Sequence, residues 1–245
     1  MHDVFFPVGM NPVLRPDFSP MKFGVTGLKT SISQQSTHRH IYSPLSSHNS
    51  AVSQFTIWAR PDLIGAAEYA LNVGKCIINF FEEYFELDYP LNKTDMLAVP
   101  HFAAGAMENW GLLIYREATL IWDPVVGTEG ARQKVATVIS HEIAHQWFGN
   151  LVTLNWWDDL WLNEGFATFV EYIGVAHAQP DWHMDEQFAV LQLQKVLLSD
   201  SLATTHPVFM PVYHPDEINE IFDTISYNKV SGSFAYQILL CSLHI

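Results

Sequence analysis

Cysteine and basic residues are scarce in this 245-residue sequence, and each scarcity excludes a class of protein. The two cysteines, Cys76 and Cys241, are too few and too far apart for a disulfide framework or a zinc–thiolate site. Lysine and arginine number 12 against 26 acidic residues, a formal charge of −14, so we expect no nucleic-acid partner. No apolar run of about 18 residues occurs, and the first residues lack signal-peptide features, so we expect no membrane-spanning segment. Localisation and oligomeric state stay open.

The remaining composition is that of a packed globular protein, with 49% hydrophobic and 13% aromatic residues. Residues 1–54 differ from the rest, because eight serines between positions 31 and 54 predict an N-terminal segment that is partly linker-like. From Phe55 onward, alternating and helical periodicities predict an α+β fold, mainly helical with a small mixed sheet. The predicted strands cover 55–59, 97–99, 111–115 and 119–122, and the predicted helices cover 66–85, 133–148, 160–172, 184–199, 217–223 and 226–243.

Residues 141–145 read His-Glu-Ile-Ala-His, the HExxH pattern of zinc peptidases. On a helix His141 and His145 lie on one face, so both imidazoles can reach one ion. Glu142 is adjacent to this pair and can act as general base toward a water molecule at the metal. Glu164, on a second predicted helix, can supply the third ligand. Two histidines and one glutamate leave the fourth position open, the arrangement of a catalytic zinc site with one Zn²⁺ per chain.

HExxH alone occurs by chance in many helices, and a histidine pair on a helix is more often part of a surface or a core. The flanking residues favour the zinc site here. Apolar residues recur with helical period from Val135 to Phe148, and Gly149-Asn150 predicts the end of that helix.

Further motifs resemble those of the aminopeptidase N-type zinc aminopeptidases, which are gluzincins. The similarity is dense from about Ile57 to Lys229. It includes Gly-Ala-Met-Glu-Asn at 105–109, His-Glu-Ile-Ala-His-Gln-Trp-Phe-Gly-Asn at 141–150 and Trp-Leu-Asn-Glu-Gly at 161–165. The combination at this spacing is highly specific. It implies a thermolysin-like catalytic domain that removes the N-terminal residue from peptides with a free N-terminus.

The resemblance also assigns roles outside the metal motif. Glu108 is expected to bind the substrate's free α-amino group, and Tyr227, in the context Ser226-Tyr227-Asn228-Lys229, is expected to stabilise the oxyanion. The small residues Gly105 and Ala106 let an extended substrate approach the backbone. The expected substrate-binding segment is Gly105, Ala106, Met107, Glu108 and Asn109.

The sequence also departs from the family pattern. Lys229 is followed by Val230 where the family has glycine. The resemblance further implies that residues 55–61 are the last strand of a missing β-sandwich domain, and that 62–245 is a catalytic domain truncated at its C-terminal end. One alternative is therefore a catalytically impaired product that binds zinc or peptide. Another is an epoxide hydrolase related to the leukotriene-converting enzyme. Ala106 favours the peptidase, since the corresponding motif of that hydrolase resembles Gly-Gly-Met-Glu-Asn.

Overall fold

The computed structural model describes residues 39–44 and 54–235 of the chain. Their strands form one five-stranded sheet in the order β1-β2-β3-β5-β4. The β2–β3 and β3–β5 pairs are parallel, and the β1–β2 and β4–β5 pairs are antiparallel. The strands are β1 (Arg39–Pro44), β2 (Gln54–Ala59), β3 (Lys93–Val99), β4 (Ala106–Met107) and β5 (Leu112–Arg116).

Helices account for most of the remaining regular structure. A π-helical segment, Ala189–Leu193, joins α5 to α6, and a second one, Ile225–Lys229, leads into helical residues 230–235. The α-helices are α1 (Glu68–Phe85), α2 (Glu117–Leu120), α3 (Glu129–Ala144), α4 (Leu160–Ala178), α5 (Met184–Phe188), α6 (Gln194–Asp200) and α7 (Pro215–Ile218). Short 3₁₀ turns occupy Ile64–Ala66, Trp157–Asp159, Pro180–Trp182 and Asn219–Ile221.

The helix α1 connects the parallel strands β2 and β3 and packs against the sheet through one apolar face. Its buried residues recur at helical spacing, including Leu71, Ile78 and Phe81. Gly74 permits the close approach, because a Cβ there would lie 2.6 Å from Cζ of Phe55 on β2. The sheet and the helix thus share one apolar core, which continues into α3 and α4.

The helices α1, α3 and α4 meet closely behind the HExxH motif. A Cβ on Gly174 would lie 2.3 Å from Oγ of Ser140 on α3 and 2.7 Å from Cζ of Phe81 on α1. The Ser140 hydroxyl also donates to the carbonyl of Glu171 at 2.9 Å. This contact fixes α3 against α4, the two helices that carry the predicted metal ligands.

The fold is mixed α/β and mainly helical with a small mixed sheet, as predicted, but several element boundaries differ. Residues 119–122, predicted as a strand, lie in and just after the one-turn helix α2. The reason is local: Thr119 Oγ1 donates to the carbonyl of Arg116 at 2.8 Å, and the Ile121 amide donates to that of Glu117 at 2.8 Å. Both bonds favour a helical turn over an extended chain.

Two predicted helix ends are also wrong. The helix α3 ends at Ala144 rather than at Gly149-Asn150, and a tighter turn follows in which the Gln146 amide donates to the carbonyl of Ile143. The helix α4 continues past the predicted end at residue 172 to Ala178, and Gly174 within it allows close packing against α1 and α3. The predicted last helix begins within the π-helical segment, and its residues after 235 lie outside the described part of the chain.

Two strands precede α1 in the described part of the chain. Residues 39–44 of the serine-rich segment form β1, while the rest of residues 1–53 lies outside the described part. The strand β2 pairs with β3 in the five-stranded sheet. The assignment of residues 55–61 to a preceding domain stays a prediction.

Candidate active site

The three predicted metal ligands converge on one point. Nε2 of His141 lies 3.0 Å from Nε2 of His145, and the Oε2 atom of Glu164 lies 3.2 Å from the first and 3.4 Å from the second. Tetrahedral ligands about 2.0–2.1 Å from a zinc ion would be roughly 3.3–3.4 Å apart. The donor set and its spacing therefore fit Zn²⁺. This is the one group of three or more such side chains found within the described residues that could hold a metal.

Hydrogen bonds on the far side of each imidazole direct both lone pairs at this point. Nδ1 of His145 lies 2.9 Å from the carbonyl oxygen of Phe148, which can only accept, so Nδ1 carries the proton. Nδ1 of His141 lies 2.6 Å from Oε2 of Glu171 and donates to that carboxylate. In the neutral imidazole, a proton on Nδ1 leaves the lone pair of Nε2 free, which is the form that metal binding requires.

Glu171 is a site residue that the sequence prediction missed. It is buried on α4, seven residues after Glu164 and two helical turns along the same face. That spacing is the signal that could have identified it. Its contact with His141 is the carboxylate–imidazole–metal arrangement that orients a ligand in zinc sites.

Glu142 lies beside the ligands in a buried environment. Its side chain is 5% exposed, and Oε2 has no hydrogen-bond partner among the described residues. Burial raises the pKa of Glu142 to about 7, and the nearby Glu108 and Glu164 act in the same direction against His141 and His145. A carboxylate with a free oxygen and a raised pKa is suited to accept and release a proton.

The pKa of Glu164 shifts in the opposite direction to that of Glu142. Burial alone would raise its pKa, but the imidazoles of His145 and His141 hold the pKa of Glu164 well below its usual value. The carboxylate is therefore ionised, which suits a metal ligand.

Tyr227 reaches the same site from the second π-helical segment. Its ring stacks on the imidazole of His141, with centroids 6.0 Å apart and planes 12° from parallel. Burial raises the pKa of Tyr227, and the neighbouring carboxylate of Glu164 acts in the same direction. The phenol is thus protonated and available as a donor at the site. Asp223 supports the start of this segment, since its Oδ1 accepts the amides of Ile225 and Ser226.

The predicted substrate-binding residues, Gly105 to Asn109, include the short strand β4. The strand is the last in the sheet, so one of its edges is unpaired among the described residues. Arg116 holds the preceding loop by donating to the carbonyls of Phe102 and Ala103 at 3.1 and 2.7 Å. The Glu108 carboxylate lies close enough to act electrostatically on Glu142, His145 and Tyr227. Ala106 and Met107 form this edge strand, and Gly105 and Asn109 lie on either side of it in exposed positions.

Residues 69–239 match the family model described as the Peptidase family M1 domain, and the chain belongs to that family.

Curated relatives include glutamyl aminopeptidase of Homo sapiens, 50% identical over 177 residues, and that of Bos taurus, 51% identical over 174 residues. Aminopeptidase N of Oryctolagus cuniculus is 50% identical over 181 residues. These matches cover 71–72% of this chain but only 18–19% of each relative, so the chain spans about a fifth of their length. In the described part of the chain, no helix is both long and apolar enough to cross a membrane.

Proposed function

We propose that this chain carries the site of a zinc-dependent metalloaminopeptidase that hydrolyses the N-terminal residue from peptides. The observation that carries the proposal is the convergence of His141 Nε2, His145 Nε2 and Glu164 Oε2 within 3.4 Å of one another. The thermolysin-like character of the domain is part of the same proposal, supported by the helix pair α3 and α4 that carries these ligands.

His141, His145 and Glu164 would hold the zinc ion, which supplies Lewis-acid polarisation of the scissile carbonyl and lowers the pKa of water. Glu142 accepts a proton from the attacking water and passes it to the leaving amine. The buried oxygen that lacks a partner and the raised pKa of Glu142 support this role.

Two further residues complete the reaction. Tyr227 donates a hydrogen bond to the oxyanion, and the protonated phenol beside Glu164 supports this role. Glu108 binds the α-ammonium group of the substrate, which pairs as an extended chain with the open edge of β4. An anion fixed beside the metal favours a free N-terminus over an internal peptide bond, because an internal segment would leave the carboxylate without a partner.

A direct test uses the purified full chain with one equivalent of zinc and two substrates. We expect hydrolysis of an aminoacyl chromogenic amide and little or no hydrolysis of its N-acetyl form. A chelator should abolish turnover, and zinc should restore it. Equal turnover of the two substrates would contradict the exopeptidase role of Glu108. Zinc binding without turnover would support the alternative of an impaired product.

A further inference from the structure

The backbone carbonyl of Glu108 accepts two hydrogen bonds from the segment that follows α3. Nε2 of Gln146 donates at 3.1 Å, and Nδ2 of Asn150 donates at 2.7 Å. Both lone pairs of this carbonyl are therefore used by side chains that the sequence prediction gave no role. We call Gln146 and Asn150 the amide clamp.

The orientation of Gln146 is determined by its surroundings. The residue is 1% exposed, and its Nε2 also donates to the carbonyl of Glu142 at 3.0 Å. Both contacts are carbonyl oxygens, which only accept, so the amide nitrogen must face them. Oε1 then faces the hydroxyl of Tyr89, 3.4 Å away. A buried amide whose donors and acceptor all have partners holds one geometry.

Residues 146–150 are also hydrogen-bonded to the residues at the end of α3. The backbone amide of Asn150 donates to the carbonyl of His145 at 3.0 Å. Nδ1 of His145 in turn donates to the carbonyl of Phe148. Gln146 follows His145 directly and is bonded to Glu142. Four hydrogen bonds therefore link the Glu108 carbonyl to the backbone of Glu142, through Gln146, and to the backbone of His145, through Asn150.

We propose that Gln146 and Asn150 are positioning residues that set the separation between the Glu108 carboxylate and the metal ligands, and hence cleavage after one residue. This inference rests on the proposed function. Glu108 directly follows the short edge strand β4, and β5 is that strand's only neighbour in the sheet of the described residues. Without the amide clamp this strand can shift relative to the metal. A shift of about 1 Å in a substrate-positioning group can cost about a hundredfold in rate.

The test compares Asn150→Ala and Gln146→Leu with Thr153→Ala, each in the zinc-loaded full chain. Thr153 donates to the carbonyl of Asn150 at 2.7 Å, so the control loses one hydrogen bond of the same loop without touching Glu108. We expect KM for an aminoacyl amide to rise about tenfold or more in the two clamp variants, with kcat changed less and zinc content unchanged. Thr153→Ala should resemble the wild type. The clamp variants should also release some dipeptide from a tetrapeptide.

A binding measurement separates this proposal from the proposed function. Calorimetry compares a phosphinic dipeptide bearing a free amine with its N-acetyl form. We expect the wild type to bind the free amine more tightly than the N-acetyl form. A ratio of the two dissociation constants that is about tenfold smaller in Asn150→Ala supports the amide clamp. Preference retained in both clamp variants would overturn the clamp alone, and absence of preference in the wild type would overturn the role of Glu108 and the clamp together.

Discussion

The carboxylate of Glu171 lies 2.6 Å from Nδ1 of His141, on the side of the imidazole opposite the metal position. This contact fixes the tautomer of one ligand and connects α4 to the site a second time, two turns beyond Glu164. Glu171 is 6% exposed, so water does not readily replace it.

Replacing Glu171 should therefore weaken metal binding. We expect Glu171→Ala to raise the dissociation constant for zinc about 10- to 100-fold, because the imidazole loses the partner that orients it. Competition with a chromogenic chelator measures this constant. Glu186→Gln, which removes one charge from an exposed residue of α5, is the control. An unchanged zinc affinity in Glu171→Ala would contradict the orienting role.

Gly149 should resist substitution because of its backbone conformation and its neighbour. Its φ is +133°, and a Cβ there would lie 3.0 Å from Nδ1 of His145. We expect Gly149→Ala to destabilise the fold by about 1–3 kcal/mol and to weaken zinc binding. Urea unfolding and zinc titration measure the two effects. Gly65→Ala is the matched control, since its Cβ would meet no atom within 4 Å, and an equal effect there would refute the explanation.

Tyr227→Phe should lower kcat with little change in KM. The phenol donates to charge that develops in the transition state, and loss of one such donor costs about 10²–10³ in kcat. Steady-state kinetics on an aminoacyl amide measure the effect. Tyr213→Phe provides a control, because Tyr213 is 87% exposed. A variant that loses affinity while keeping kcat would instead place Tyr227 in substrate binding.

His206 should make stability depend on pH through the segment that carries Tyr227. Its Nε2 lies 2.7 Å from Oδ2 of Asp223. Burial lowers the pKa of His206, but the carbonyl of Pro207 and the carboxylate of Asp223 raise it above the usual value overall. The pKa of His206 in the folded state exceeds the unfolded value of about 6.5. The stabilisation that the His206–Asp223 pair adds to the fold is therefore complete below about pH 6.5 and is lost as pH rises through the folded pKa.

His206→Gln should accordingly lower Tm at about pH 5.5, and its difference from wild type should shrink by about pH 9. Thermal melts at both pH values, with exposed His101→Gln as control, measure this. A Tm difference between wild type and His206→Gln that grows as pH rises would contradict the stabilising role of the His206–Asp223 pair.

The proximity of His141 and His145 could be predicted because HExxH is a local pattern that a helix converts directly into geometry. The structure brings His141, His145 and Glu164 together as predicted. Local periodicity could not reveal where α3 ends, because the turn after it depends on hydrogen bonds from Gln146 and Asn150 to the carbonyl of Glu108, which is distant in sequence. The prediction of a strand at 119–122 was wrong because periodicity does not report local hydrogen bonds. Here Thr119 bonds to the carbonyl of Arg116 and Ile121 to that of Glu117, and both bonds favour a helical turn.

Glu142, the proposed general base, offers the most direct test of the proposed chemistry. The measurement is turnover of an aminoacyl chromogenic amide by wild type and Glu142→Gln, each with zinc content determined on the same sample. We expect one zinc per chain in both proteins and a loss of kcat of at least about 10²-fold in Glu142→Gln, because glutamine cannot accept the proton. Retained turnover in a fully zinc-loaded Glu142→Gln protein would contradict the assignment.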